Sequence, residues 1–335
     1  MATENKPSTL QEAIQHFSDE QTCIDTVAAL RWPNGPECPA CGHKEHYYLK
    51  TQRRWKCKEC YKQFTVKLGT IFEDSPISLD KWLISLWMLV NCKNGVSSYE
   101  ISRALGITQK SAWFVLQRLR LALREKSLDK KFGGSGSEVE VDETFIGQKS
   151  QNMHKSRKLR FQQLRNQFQD NNTPMSSRYY GKTAVMGMLD REERKVRATV
   201  VPNTKRETLQ NIILNDVEHG SKVYTDQMVS YDKLAEKYAH EVVNHLEGYV
   251  QGRVHTNGLE NFWSLLKRSL HGSYVAVEPF HLFRYVDEQV FRYNNRGTKK
   301  QKVSDSERFQ LALSQIAGKR LTFAEVTGKV GQAAF

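Results

Sequence analysis

Two cysteine pairs constrain this chain more than any other feature of its sequence. Cys38-Pro39-Ala40-Cys41 and Cys57-Lys58-Glu59-Cys60 stand on either side of residues 42–56, a spacing that fits the C-x₂-C…C-x₂-C pattern of a four-thiolate zinc site. Each pair can occupy a tight turn and give two thiolates to one tetrahedral ion. Four thiolates leave no open position for water, so the zinc is expected to be structural. Segments 45–49 and 53–56 read as strands of this ribbon. His43 and His46 are close by and surplus, with a Cys₃His set as the alternative. Cys23 and Cys92 read as small buried apolar residues.

Disulfides are disfavoured, because residues 1–15 are polar and carry no secretory signal core. No apolar run approaches the roughly 20 residues of a membrane span, so no membrane partner and a cytoplasmic location are expected. With 39% hydrophobic and 10% aromatic residues in 335, two or three domains can each bury a core. Fifty Lys and Arg against 37 Asp and Glu leave a net charge of +13. That balance favours a polyanion, nucleic acid ahead of an anionic membrane.

In order, residues 1–35 read as a helical segment ending at the breaker Trp32-Pro33-Asn34-Gly35-Pro36. The zinc ribbon occupies 36–68. Residues 75–128 read as three helices, the first carrying Trp82, Leu83, Leu86 and Trp87. Ser97-Ser98-Tyr99-Glu100 is a capping box that opens the second, and Gly106 follows as a turn. Thr108 caps the third, whose apolar stripe is Ala112, Val115, Leu116 and Leu119. A short helix, a glycine turn and a longer basic helix predict a helix-turn-helix led into the major groove by Gln109, Lys110 and Ser111. Lys110, Arg118, Arg120 and Arg124 would add phosphate-binding charge. A plain helical hairpin is the alternative.

Lys130-Lys131-Phe132-Gly133-Gly134-Ser135-Gly136-Ser137 is a joint by composition. Beyond it the pattern turns strand-first: 138–147 alternates with period two, 182–189 and 196–201 read as strands, and Asp190-Arg191-Glu192-Glu193 as the turn between them. A helix over 204–217, a strand over 222–226, a helix over 230–238 and a strand over 241–245 follow. This order predicts a multidomain α+β chain in which the zinc ribbon and helix-turn-helix precede an α/β ribonuclease H-like catalytic domain over 134–300. A tail over 301–335 follows. Within 149–182, eight basic residues face one acid, a basic insertion that reads equally as a solvated loop or a DNA-contacting arm.

The last helix of that domain begins in His255-Thr256-Asn257-Gly258-Leu259-Glu260 and places Leu259, Phe262, Trp263, Leu266 and Leu270 on one stripe. Glu260 and Lys267 share the opposite edge, about 10 Å apart along the axis, which suits a metal ligand beside a phosphate clamp. Asn257 with Glu260 is equally a capping box. Asp142 on the first strand, Asp226 at the end of the fourth and Glu260 would then converge. Three carboxylates at one spot repel unless cations hold them, which implies two divalent ions about 4 Å apart and a phosphodiester substrate. Glu140 and Glu143 flank Asp142, Asp216 and Asp232 compete with Asp226, and Asn257 competes with Glu260.

The cysteine pattern, the strand Val141-Asp142-Glu143-Thr144-Phe145-Ile146-Gly147, Thr225-Asp226, and His255-Thr256-Asn257-x-x-Glu260-x-Phe262-Trp263-Ser264-x-x-Lys267-Arg268 together resemble the bacterial insertion-sequence transposases of the ISXO and Merlin type. Phe291-Arg292-Tyr293-Asn294-Asn295-Arg296 and Gly318-Lys319-Arg320-Leu321-Thr322 extend the likeness from about Cys38 to Thr322. The resemblance implies a DDE-type DNA transposase that binds terminal inverted repeats, cleaves there and joins the ends to target DNA. Asp142, Asp226 and Glu260 would hold Mg²⁺ or Mn²⁺, and Lys267 and Arg268 would meet DNA. In that group the third ligand is either Glu or Asn, which keeps Asn257 in play. It further implies double-stranded DNA as partner, a homodimer or larger assembly on it, and a nucleoid-associated location in a bacterial cytoplasm. A zinc-ribbon, helix-turn-helix regulator with an inactive ribonuclease H-like domain is the alternative, and a nuclease of RNA-DNA hybrids stands third.

Overall fold

The computed structural model describes residues 6–124, 130–147, 153–156, 158–159, 162–163, 181–226, 231, 234, 238–242, 255–298 and 301–329. The chain divides into two compact units. One comprises Met1–Glu125, His271–Val275 and Asp287–Ala333; the other comprises Lys126–Leu270, Ala276–Val286 and Ala334–Phe335.

The chain begins with α1 (Leu10–His16) and α2 (Glu20–Arg31), whose first-turn amides are taken by the side chains of Thr9 and Asp19. Strands β1 (His46–Leu49), β2 (Arg54–Cys57) and β3 (Gln63–Phe64) form an antiparallel sheet. Burial alternates along β2, with Trp55 and Cys57 inward. The Trp55 and Phe64 rings lie 5.3 and 5.9 Å from Trp32, which closes the apolar side of the ribbon. Helix α3 (Leu79–Asn91) is the apolar centre of this unit and buries both its tryptophans. Helix α4 (Ser98–Leu105) opens on the Ser97–Glu100 capping box and ends at Gly106 with φ 62°; α5 (Gln109–Leu123) opens on the Thr108 side chain.

Strand β4 (Glu138–Ile146) lies at the centre of a five-stranded sheet with β5 (Thr183–Asp190), β6 (Lys195–Val201), β7 (Lys222–Thr225) and β8 (Ala239–Val242), in the order β6-β5-β4-β7-β8. β4 and β6 run antiparallel to β5, while β4, β7 and β8 run parallel. Period two sorts β4 into two faces. Val139 and Val141 pack with Met186, Met188 and, from α6 (Arg206–Asp216), Leu209 and Ile213. Glu138, Glu140 and Asp142 occupy the other face. Most of the predicted helix over 230–238 lies outside the described residues; of its described positions, Tyr231, Leu234 and Tyr238 are buried. The strand residues past Val242 and most of the basic insertion lie outside them too, and β8 begins two residues earlier than 241.

Helix α7 (Asn257–Gly272) buries Leu259, Phe262, Trp263, Leu266 and Leu270, the stripe its periodicity required. Helices α8 (Leu282–Asn294), α9 (Asp305–Ser314) and α10 (Phe323–Val326) complete the chain. The segment from 301 is more than a tail: Phe309 of α9 is buried in the core of the first unit, its ring 5.5 Å from Phe17 and 5.3 Å from Trp87. In the same unit Arg120 donates to Glu288 Oε2 at 2.7 Å, and Glu288 also accepts from Tyr274 and Arg292. Among the described residues no helix is long and apolar enough to cross a membrane.

Candidate active site and metal centre

The ribbon brings its four cysteines together as their spacing required. Their sulfurs all lie within 4.8 Å of one another, with Cys38 and Cys60 at 3.6 Å and Cys41 and Cys57 at 3.6 Å. Ligands about 2.3 Å from a tetrahedral zinc stand roughly 3.8 Å apart, so the cage has the size of the ion. The Cys60 backbone N–H aimed at its sulfur holds the Cys57 thiol below its usual value. Cys38 is drawn down to about 7: burial opposes the shift, and the amides of Ala40 and Cys41 outweigh it. Both effects favour the thiolate that binds metal. Among the described residues, His43 and His46 belong to no such cluster.

The acids meet on a different plan. Asp142 lies on the α7 side of β4, directly paired with Gly187 of β5. A Cβ at Gly187 would come within 2.6 Å of the Trp263 ring, so glycine is what lets the indole lie against the sheet. Trp263 Nε1 donates to Asp142 Oδ2 at 3.0 Å, and the Glu143 amide donates to Oδ1 at 2.8 Å. An open depression of about 470 Å³ is lined by Asp142, Glu143, Thr144, Glu260, Trp263, Ser264 and Lys267.

Asp226 enters from β7. The parallel register pairs Glu140 with Tyr224, so Asp142 and Asp226 each stand two residues past that couple, Asp142 at the middle of β4 and Asp226 just beyond the carboxyl end of β7. Their charges interact. Burial pushes the Asp142 carboxyl up to about 6; the Trp263 hydrogen bond pulls it back, while Asp226 and Glu260 push it up further. Burial pushes Glu143 up to about 8, with Asp226 and Asp142 adding to it. Both Glu143 carboxylate oxygens are buried and have no hydrogen-bond partner among the described residues. The carboxylates are looser than the cysteines: among the described residues the sulfurs form the one group of three or more possible ligands drawn within 4.8 Å. Asn257 is exposed in the first turn of α7 and does not line the depression.

The predicted capping box at Asn257 is replaced by another arrangement. Thr256 O accepts the Glu260 amide at 3.0 Å, so the cap falls on Thr256, and the Leu259 amide goes to Glu140 of β4 at 3.0 Å. Arg191, which reads in sequence as a turn residue, donates to Glu140 and Glu138 at 2.7 and 3.1 Å. No local pattern in the sequence marks this contact.

The residues expected to read DNA are placed unevenly. Lys110 is exposed, its ammonium 4.9 Å over the Phe323 ring. Gln109 Nε2 donates to Ser98 Oγ at 2.9 Å, and Ser111 shares the Thr108 cap. Arg118 is 3% exposed and donates to Glu73 O at 2.7 Å with its guanidinium over Trp82. Arg120 is equally buried against Glu288. Neither guanidinium is offered to a phosphate, because each is committed to the interior. Lys267 and Arg268 are exposed on α7.

Residues 133–294 match the model of the ISXO2-like transposase domain, and residues 18–63 match that of the transposase zinc-ribbon domain. An uncharacterised protein in transposable element ISH50 of Halobacterium salinarum is 26% identical over 77% of this chain and 85% of its own length. An uncharacterised transposase-like protein of Haemophilus influenzae is 36% identical over 32% of this chain and 87% of its own. A chain of the solved complex of the simian T-cell lymphotropic virus intasome with PP2A regulatory subunit B56 gamma matches over 68% of this chain and 74% of its own length, at 14% identity and a TM-score of only 0.29. On the two domain matches and the Haemophilus relative, the chain belongs to the ISXO2-like transposase family.

Proposed function

We propose that the chain is a DDE-type DNA transposase: it binds the terminal inverted repeats of its element, cleaves the DNA there and joins the ends to a target. The observation that carries this reading is the depression shared by Asp142, Glu260 and Lys267, in which the charges of Asp226 and Glu260 act on Asp142. Burial raises the Asp142 carboxyl to about 6, with the charges of Asp226 and Glu260 adding to it, and acids crowded in this way are a donor set that fits a divalent cation. Asp142, Asp226 and Glu260 would hold Mg²⁺ or Mn²⁺. Glu260 is preferred to Asn257 because its charge reaches Asp142. When bound, such ions polarise the phosphodiester and lower the pKa of the attacking water or 3′-hydroxyl.

The chain's own residues do the rest. Trp263 fixes the rotamer of Asp142 by holding Oδ2. Lys267, about two turns from Glu260 on the same edge of α7, holds a phosphate of the scissile strand. The order β6-β5-β4-β7-β8 is read as a ribonuclease H-like sheet, and α4, Gly106 and α5 as a helix-turn-helix presenting Gln109, Lys110 and Ser111 to the major groove. The four ribbon cysteines hold a structural Zn²⁺, and several copies of the chain assemble on DNA. The test is strand transfer: a pre-cleaved terminal repeat, incubated with the chain, Mg²⁺ and plasmid, yields joined product. Binding of the repeat without joining contradicts the reading.

A further inference from the structure

Glu140 lies on the same face of β4 as Asp142, two residues earlier, and is 1% exposed. In sequence it reads as a spare acid beside the site. Its two oxygens are both engaged: Oε2 accepts the Leu259 amide at 3.0 Å, and Oε1 accepts Arg191 Nε at 2.7 Å. With Thr256 as the cap of α7, Leu259 is the third residue of the helix, and its amide is one that a cap's own side chain ordinarily takes. Here a carboxylate from a strand takes it, at the positive end of the helix.

Arg191 ties the same turn down from the other side. Its Nη1 donates to Glu138 Oε2 at 3.1 Å, and its Nη2 reaches His255 Nδ1 at 3.0 Å and the His255 carbonyl at 2.5 Å. A guanidinium can only donate, so His255 Nδ1 is the acceptor in this contact. The guanidinium lies 4.5 Å over Tyr224, whose hydroxyl donates to Glu138 at 3.2 Å. A Cβ at Gly258 would stand 2.8 Å from Glu140 Oε2, so the close approach of helix to strand depends on glycine there.

We infer that Glu140 and Arg191 are positioning residues that pin the first turn of α7 to β4 and thereby set the separation between Asp142 and Glu260. The inference rests on the reading of those two acids as metal ligands. Trp263 Nε1 ties α7 to Asp142 three residues beyond Glu260; the buried pair supplies the second tie, at the first turn of the helix, so that Glu260 stands between two fixed points. Groups that orient metal ligands in this way typically change metal affinity about 10–100-fold when altered.

The test is Mn²⁺ binding by the full-length chain, followed through the electron paramagnetic resonance of free Mn²⁺. Each variant is titrated well below its own melting temperature. Glu140→Gln keeps the shape and an acceptor oxygen but loses the charge facing Arg191; Arg191→Lys keeps the charge but loses the fork. Both are expected to bind as many ions as wild type with affinity lowered about tenfold or more. If both folded variants bind Mn²⁺ as tightly as wild type and only melt earlier, the pair is merely structural and the inference fails. Should Arg191→Lys not fold, Glu140→Gln decides alone. If wild type binds no Mn²⁺, or Asp142→Asn binds it as well as wild type, the metal reading of the acids falls first and the inference falls with it.

Discussion

Trp263 Nε1 meets Asp142 Oδ2 at 3.0 Å over a sheet position that Gly187 leaves empty. The indole favours the ionised carboxylate, opposing the burial that pushes Asp142 up to about 6. Trp263→Phe keeps the packing and removes the donor. A hydrogen bond to a charged group contributes ~1.5 kcal/mol, and 1.36 kcal/mol is one pKa unit, so the acid limb of metal binding is expected to move up by about one pH unit. Mn²⁺ affinity measured from pH 5 to 8 checks this; an unmoved limb contradicts it.

Glu143 gives a pH signature with a definite sign. Its folded value, about 8, lies above the ordinary 4.5. Across that interval the native chain holds a proton that the unfolded chain has released, so the stability tied to this group is lost as pH rises from about 4.5 through about 8. Glu143→Gln removes the penalty. Without added divalent cations, the variant is expected to gain on wild type steadily across this window, by on the order of 4 kcal/mol at pH 8. Paired chemical denaturations at pH 5 and pH 8 measure the difference; equal stabilities at both would contradict the burial of an unpaired carboxyl.

The zinc cage yields a third expectation. Cys57→Ser removes one of four sulfurs that stand within 4.8 Å of one another. Structural zinc contributes about 10–16 kcal/mol of binding free energy in small folds, so the variant should lose its tightly held equivalent and bind DNA less well. Zinc analysis after dialysis, with anisotropy on duplex DNA, reads both. Full retention of zinc would contradict the four-thiolate assignment.

Phe309→Ala tests the place of the C-terminal helix. Its ring is buried between Phe17 and Trp87, so its removal should cost about 3–5 kcal/mol. The loss is expected in the melting of the first unit, read by tryptophan fluorescence. A free tail would give no change.

These cases show where the sequence was readable. Periodicity placed the buried stripe of α7, and local chemistry placed the Ser97 and Thr108 caps, because both signals lie within a few residues of one another. The cysteine spacing foretold the cage for the same reason. The burial of Arg118 and Arg120 has no local signal, because the groups that partner them, Glu73 O and Glu288, lie far along the chain. Asn257 was legible as a cap by pattern, yet the first turn of α7 is tied by Glu140, a residue more than a hundred positions away. Arg191 gave no signal at all, since a turn arginine ordinarily faces water and only the folded sheet brings Glu138, Glu140 and His255 to it.

The central claim is that Asp142 and Asp226 act on DNA rather than support the fold. Asp142→Asn and Asp226→Asn, assayed for joining of a pre-cleaved terminal repeat into plasmid and in parallel for binding of that repeat, test it most directly. The account expects joining to fall by about 10²-fold or more, as when a group that stabilises the transition state is removed, with repeat binding unchanged. Joining at the wild-type rate, or binding lost together with joining, would contradict it.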